Sequence, residues 1–312
     1  MRTSLEKFAI NQERAGTLSI FRLGVFAALL AISGLYAPSA RALDVDADDY
    51  SAGALPAGTN LGLLYGQFVN RDANYSAGQR VGNGTLDSEV GILRYAHFVE
   101  IGPFIADPQF LLPFGHLQGS GDLGALGQTT GVGDLILAST IWLYNKPESN
   151  LFFGITPVLY VPIGTYNSSN GLNLGENRWK GALQAGWVIP VFVKELVLQL
   201  VGDVTFYGNN TSYGARGQTL QQLPLVSLQS WFKYAVTPDF DIRLGATYYA
   251  GGQTKVNSTV SSDSLSTVNF KVGFAWNFAP SWNIMALYGR DISVDNGLRE
   301  ANRVNLRLMK AF

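Results

Sequence analysis

The amino-acid sequence predicts an all-β protein: an antiparallel transmembrane barrel of about twelve strands, preceded by a cleavable signal peptide. Three observations predict it. Apolar and polar residues alternate with a period of two along many short stretches. The connections between those stretches alternate between short proline-bearing turns and long polar loops. The last stretch alternates in the same way and ends on Phe312. Composition agrees, because the 312 residues are 47% hydrophobic but only 14% charged, against about a quarter in a soluble domain. The 35 glycines and 12% aromatic residues complete a β-protein profile and exclude a disordered chain. With no cysteine, disulfide frameworks, thiolate metal sites and cysteine nucleophiles are excluded. A net charge of −1 argues against a nucleic-acid partner, which would call for a basic patch.

Residues 1–42 read as the signal peptide. Arg2, Lys7, Arg14 and Arg22 outweigh Glu6 and Glu13, and an apolar run follows from Leu23 to Tyr36. Small residues at Ala40 and Ala42 fit an A-x-A site, with cleavage expected after Ala42. The apolar run is shorter than the roughly 20 residues that span a bilayer, and no later segment reads as a transmembrane helix. Residues 43–60 follow as a periplasmic or plug segment. Its Asp44, Asp46, Asp48 and Asp49 lack the glycine and spacing of a calcium loop and read as a solvated acidic stretch. Residues 61–312 are the expected barrel.

The strands are expected at 61–69, 87–98, 101–114, 131–144, 150–163, 178–189, 195–207, 222–235, 240–250, 265–278, 282–292 and 303–312. The clearest is 268–278, where Val268, Phe270, Val272, Phe274, Trp276 and Phe278 oppose Asn269, Lys271, Gly273, Ala275 and Asn277. Ile242, Leu244, Ala246 and Tyr248 alternate likewise with Asp241, Arg243, Gly245 and Thr247. Short turns are expected around Pro103, Pro147, Pro190, Pro238 and Pro280, and long polar loops at 70–85, 115–130, 164–177, 208–221, 251–264 and 294–302.

A soluble barrel would bury the apolar face; a membrane barrel turns it to lipid. Alternation does not choose between them. Short turns at one end, long loops at the other and an even strand count choose the membrane form, in the outer membrane of a Gram-negative bacterium. Val304, Leu306, Leu308 and the terminal Phe312 resemble the signal by which barrel-assembly machinery recognises outer-membrane strands, with Lys310 where an apolar residue is usual.

Polar residues then face the lumen. The inward set is Asp134, Lys180, Asp203, Lys233, Asp241, Arg243 and Lys271, with Arg94, Arg303 and Arg307, and Gln184, Gln229 and Trp231 beside them. Such a set either fills the interior with salt bridges or forms a wall along which small solutes pass. Twelve strands lie between the filled eight-strand barrels and the open channels of about sixteen, so a narrow, obstructed lumen is expected. The two histidines, His97 and His116, lie outside any hydrolase or zinc motif. No metal and no cofactor is expected.

Several segments carry a family resemblance. Asp48-Asp49-Tyr50, Leu55-Pro56-Ala57-Gly58-Thr59-Asn60 and Gly131-Val132-Gly133-Asp134-Leu135 resemble a family of exported bacterial proteins involved in the meta-pathway of phenol degradation. Val161-Pro162-Ile163-Gly164-Thr165-Tyr166, paired with Asn173-Leu174-Gly175-Glu176-Asn177-Arg178-Trp179, is the most specific part. It departs at Ile163, where the family commonly has threonine. The resemblance implies an outer-membrane, transporter-like barrel and suggests uptake of aromatic or other hydrophobic solutes. An outer-membrane hydrolase using His97 or His116, and a structural barrel with a filled lumen, stand as alternatives.

Overall fold

A computed structural model describes residues 48–312. The expected signal peptide, its cleavage site and residues 43–47 lie outside the described residues. Among these, twelve long strands form the barrel: β1 Asn60–Ser76, β2 Thr85–His97, β3 Phe104–Ser120, β4 Leu135–Lys146, β5 Leu151–Val161, β6 Lys180–Val191, β7 Val193–Tyr207, β8 Leu225–Thr237, β9 Phe240–Gly251, β10 Leu265–Ala279, β11 Trp282–Val294 and β12 Gly297–Ala311. Each pairs antiparallel with its sequence neighbours, and β1 pairs with β12, from Leu61 opposite Ala311 to Tyr75 opposite Gly297. The sheet therefore closes with no free edge, which lipid requires because it offers backbone amides no partner. At the seam the last residue is bound as well. Phe312 N donates to Asn60 O at 3.0 Å and Asn60 N to Phe312 O at 2.9 Å.

All twelve expected strands are present, but some ends differ. The loops expected at 70–85 and 294–302 are largely strand: β1 and β12 continue outward past Asn70, and β11 and β12 are joined by Asp295 and Asn296 alone. Beyond the lipid band neither face need be apolar, so alternation disappears although the ladder continues. Ion pairs support that extension, with Arg71 Nη2 2.8 Å from Glu300 Oε1 and Arg299 Nη2 2.5 Å from Asp72 Oδ2. Likewise β3 runs to Ser120, so His116 lies in a strand and not at a loop start. The turn expected at Pro190 falls instead at Phe192, whose φ is +62°. Pro190 sits within β6, where an irregularity in β7 between Val193 and Val197 accommodates it.

Outward side chains form an apolar band. Leu244, Val272, Trp276, Leu306 and Leu308 are exposed on it. Lys310 belongs to the same face, at the end that carries the short turns. Its Nζ lies 5.0 Å from the Trp282 ring centre, so the aliphatic stem runs along the band while the ammonium reaches the interface. The unusual residue of the last strand is thereby accommodated.

Val272 is central in β10 and faces lipid. Replacing it with arginine should cost about 2–4 kcal/mol in urea unfolding from lipid vesicles, whereas Leu308→Arg near the interface should cost less.

Candidate functional site: the barrel lumen

The lumen is filled unevenly. Along β1, β11 and β12 a polar network occupies its outer half. Arg71 Nη1 donates to Ser88 Oγ at 2.6 Å, Arg303 Nε donates to Glu300 Oε2 at 2.8 Å, and Glu300 N donates to Asp291 Oδ2 at 2.8 Å. Along β8–β11 the fully buried Trp231 packs with Ala275, Met285 and Leu287, and Lys271 Nζ lies 5.8 Å from its ring centre. What stays open is a cavity of about 450 Å³, displaced toward β2–β7.

Its lining varies in chemistry. Leu61, Leu63, Leu111, Ile136 and Val158, from β1 and β3–β5, form an apolar patch on one wall, with Arg94, Asp107 and Gln109 of β2 and β3 beside it. In this arc both faces of the strands are apolar, since Leu64, Leu93 and Phe110 point outward beside the inward Leu63, Ile92 and Leu111. Lys180, Asp203, Asp241, Arg243 and Arg307, from β6, β7, β9 and β12, make much of the remaining lining charged. Arg243 is held by its strand neighbour, with Nη2 donating to Asp241 Oδ2 at 2.9 Å.

At the turn end, residues 48–54 lie inside the barrel. Asp48–Ala52 forms a short 3₁₀ helix that carries Tyr50 to mid-lumen. The Tyr50 hydroxyl is 2.5 Å from Thr156 Oγ1 and donates to Gln184 Oε1 at 3.2 Å. Its ring meets Trp142 edge-on at 5.7 Å. Ser51 N donates to Gln199 Oε1 at 3.0 Å, and Lys233 Nζ donates to Ser51 Oγ at 2.6 Å and to Gln199 Oε1 at 3.1 Å. Position 186 must be glycine for this fit, because a Cβ there would overlap the Tyr50 ring.

The loops fold inward at the other end. Leu123 and Leu126, from the turn at Gly121–Leu126, cluster with Leu172 and Leu174 against Leu86, Leu117 and Leu298. The long 162–179 loop is pinned by Asp134, whose Oδ1 accepts from Gly164 N at 3.0 Å and whose Oδ2 accepts from Glu176 N at 2.9 Å. Gly164 and Gly175 lie back to back, where a Cβ on Gly175 would fall 2.6 Å from the Gly164 carbonyl carbon. The spacing of the two glycine-bearing motifs thus has a physical cause. The fold also buries Glu176. Its Oε2 accepts from Arg178 Nη2 at 2.6 Å and its Oε1 from Lys180 Nζ at 2.5 Å. Burial alone would raise this carboxyl, but the charges and hydrogen bonds of Lys180 and Arg178 prevail and hold it at about 2.

The family model described as "Putative MetA-pathway of phenol degradation" matches residues 69–308. The chain belongs to that family. A solved outer membrane channel from Pseudomonas putida is 36% identical, with a TM-score of 0.82 over 86% of this chain and all of that one. The β domain of the Bordetella autotransporter BrkA is 10% identical, TM-score 0.52, over 82% of this chain and all of that one. The transport unit of the autotransporter AIDA-I from Escherichia coli is 11% identical, TM-score 0.50, over 92% and 97%. These last two share the fold alone. No curated protein matches the chain. The protein is an outer-membrane β-barrel with the fold of a channel, so the short turns mark the periplasmic end and the long loops the extracellular one.

In this family member the residues expected in the lumen divide into two groups. Arg94, Lys180, Asp203, Asp241 and Arg243 line the cavity. Asp134 pins the outer loop, Trp231 and Lys271 pack in the filled side, and Lys233 binds residue 51. Tyr50, Glu176 and Arg178 are functional candidates that the inward-face reading omitted; the only signal for them was their place in the motifs. His97 Nδ1 lies 2.8 Å from Asn60 Oδ1 at the periplasmic end, and His116 Nδ1 2.8 Å from Thr130 Oγ1 toward the extracellular end. The two do not meet.

Because the Glu176 carboxyl is lower in the folded loop than its ordinary 4.5, its ionised form favours the folded loop. That contribution is full above pH 4.5 and is lost as pH falls toward 2. Amide-exchange protection of residues 162–179, corrected for intrinsic rates, should hold down to about pH 4.5 and decline below it. Glu176→Gln should lower that protection at neutral pH.

Proposed function

We propose that the barrel is an uptake channel for small amphipathic solutes, aromatic compounds among them, and that residues 48–54 are its periplasmic plug. The observation that carries this reading is the two-faced cavity. A water-filled pore is polar all round, whereas here Leu61, Leu63, Leu111, Ile136 and Val158 give a ring or short chain an apolar patch bordered by charged groups that accept a polar substituent. The family's description points the same way. In a low-dielectric lumen the apolar wall lowers the cost of bringing in an apolar solute, while Arg243 and Lys180 orient a hydroxyl or carboxylate. The plug is held by hydrogen bonds, one of them from the Lys233 ammonium, and by packing of Tyr50 and Ala54 against Phe98, Trp142 and Phe152, with no ion pair among the described residues 50–54 to be broken on release. We assign to Phe312, bound at the seam and exposed to lipid, the further role of the signal read by the barrel-assembly machinery.

Liposome swelling with the purified protein tests the reading. Phenol and benzyl alcohol should enter faster than sugars, and deleting residues 43–54 should raise the rate of every solute that enters. Entry of nothing, with the segment present or deleted, would make this a structural barrel and end the uptake reading.

A further inference from the structure

A second cavity, of about 270 Å³, lies among the extracellular loops, over Asn210–Tyr213 and Gln218–Gln222 and beside the 162–179 loop. Its lining carries two guanidinium groups, Arg178 and Arg216, and one carboxylate, Glu176. The carboxylate is already engaged by Arg178 and Lys180. Arg178 is only 5% exposed. Its Nε and Nη2 are bound to Glu176, Nη2 also donates to Gln222 Oε1 at 2.5 Å, and its plane stands over the Tyr207 ring at 4.6 Å. Its remaining nitrogen, Nη1, is buried and has no hydrogen-bond partner among the described residues. A buried donor of a charged group left unbound is costly, and here it belongs to a side chain on a cavity wall.

We infer that this outer cavity is a capture site for a small organic carboxylate, which accepts from Arg178 Nη1 and is met from the solvent side by Arg216. The class follows from the chemistry. A fixed, oriented N–H on a permanent cation selects a carboxylate over a neutral oxygen, the second arginine gives the site a net positive charge, and the Tyr166 and Tyr213 rings on the same lining suit an aromatic acid. The position also joins the two cavities. Arg178 lines the outer one, while Lys180 and Tyr207 line the lumen. Glu176 bridges Arg178 and Lys180 and so stands in the partition between them. A captured carboxylate beside Arg178 then lies at this partition, from which the next cation inward is Lys180. Passage inward rests on the uptake reading; capture itself does not.

Titration calorimetry on the folded, detergent-solubilised protein tests capture, with benzoate as the probe and benzyl alcohol as its neutral counterpart. Benzoate should bind saturably and at least about tenfold more tightly than the alcohol. Arg178→Lys keeps the charge but loses the spare oriented N–H, and should weaken benzoate about tenfold without changing the alcohol. Arg216→Gln, on an exposed loop residue, tests the site without risk to folding and should weaken benzoate several-fold. Equal binding of acid and alcohol, or benzoate binding unchanged in Arg216→Gln, would overturn the inference. Swelling assays with neutral solutes stand apart from it. Permeation without benzoate capture leaves the channel and removes the site, and capture without permeation does the reverse.

Discussion

Closure of the sheet is the constraint on which everything else depends. Once β1 pairs with β12, no backbone edge meets lipid, and every strand has one face outward and one inward. The outward face can then be apolar without penalty. The inward face can hold what a soluble core would reject: Arg71, Glu300, Arg303, Lys233 and Lys271, each almost wholly buried. Burial of so many charges is tolerable because they are paired, hydrogen-bonded or stacked with neighbours on the same or nearby strands, whose spacing the ladder fixes. A closed barrel is thus a rigid frame in which polar side chains are positioned two residues at a time.

Within that frame the interior is asymmetric. Polar networks along β1, β11 and β12 and the Trp231 cluster fill part of the lumen, while the open cavity lies mainly against β2–β7 and is also reached by Leu61, Leu63, Asp241, Arg243 and Arg307. The open cavity is covered at both ends by segments that are not strands: residues 48–54 below, and the loops held by Asp134 and the leucine cluster above. The contacts at the two ends differ in kind. Below they are hydrogen bonds, one from the Lys233 ammonium, and apolar packing around Tyr50; above, a buried carboxylate is held between two cations.

Much of the fold was legible in the sequence because β7–β12 alternate cleanly: one face is lipid-soluble and the other is charged. In β1–β5 the alternation blurs for a physical reason, since Leu63 and Leu64, or Leu111 and Leu112, are adjacent apolar residues on opposite faces. That blur was itself the mark of the apolar lumen wall, and period-two reading treats it as noise. Alternation also gives the face of a residue but not how deeply its surroundings are filled, so it could not separate Asp241 and Arg243, on the open cavity, from Trp231 and Lys271, in the packed side. Glu176 and Arg178 lie in a polar loop that reads as solvated. The back-to-back Gly164 and Gly175, the Asp134 hydrogen bonds and the leucine cluster bring that loop inward, and such contacts join residues that no local pattern relates. Tyr50 escaped for the same reason, being a tyrosine in an acidic stretch whose partners are more than 90 residues away.

The central claim is that residues 48–54 close the cavity and that their release opens it. The chain has no cysteine, and a Cβ at position 186 would touch the Tyr50 ring, so cysteines at 50 and 186 fall within reach of the roughly 3.5–4.5 Å Cβ separation of a disulfide. Single-channel conductance of the Tyr50→Cys, Gly186→Cys protein measures the claim directly. The account predicts low conductance when the pair is oxidised, a rise on reduction and a fall on reoxidation. The same conductance in both states, with bridging shown by mass, would contradict it.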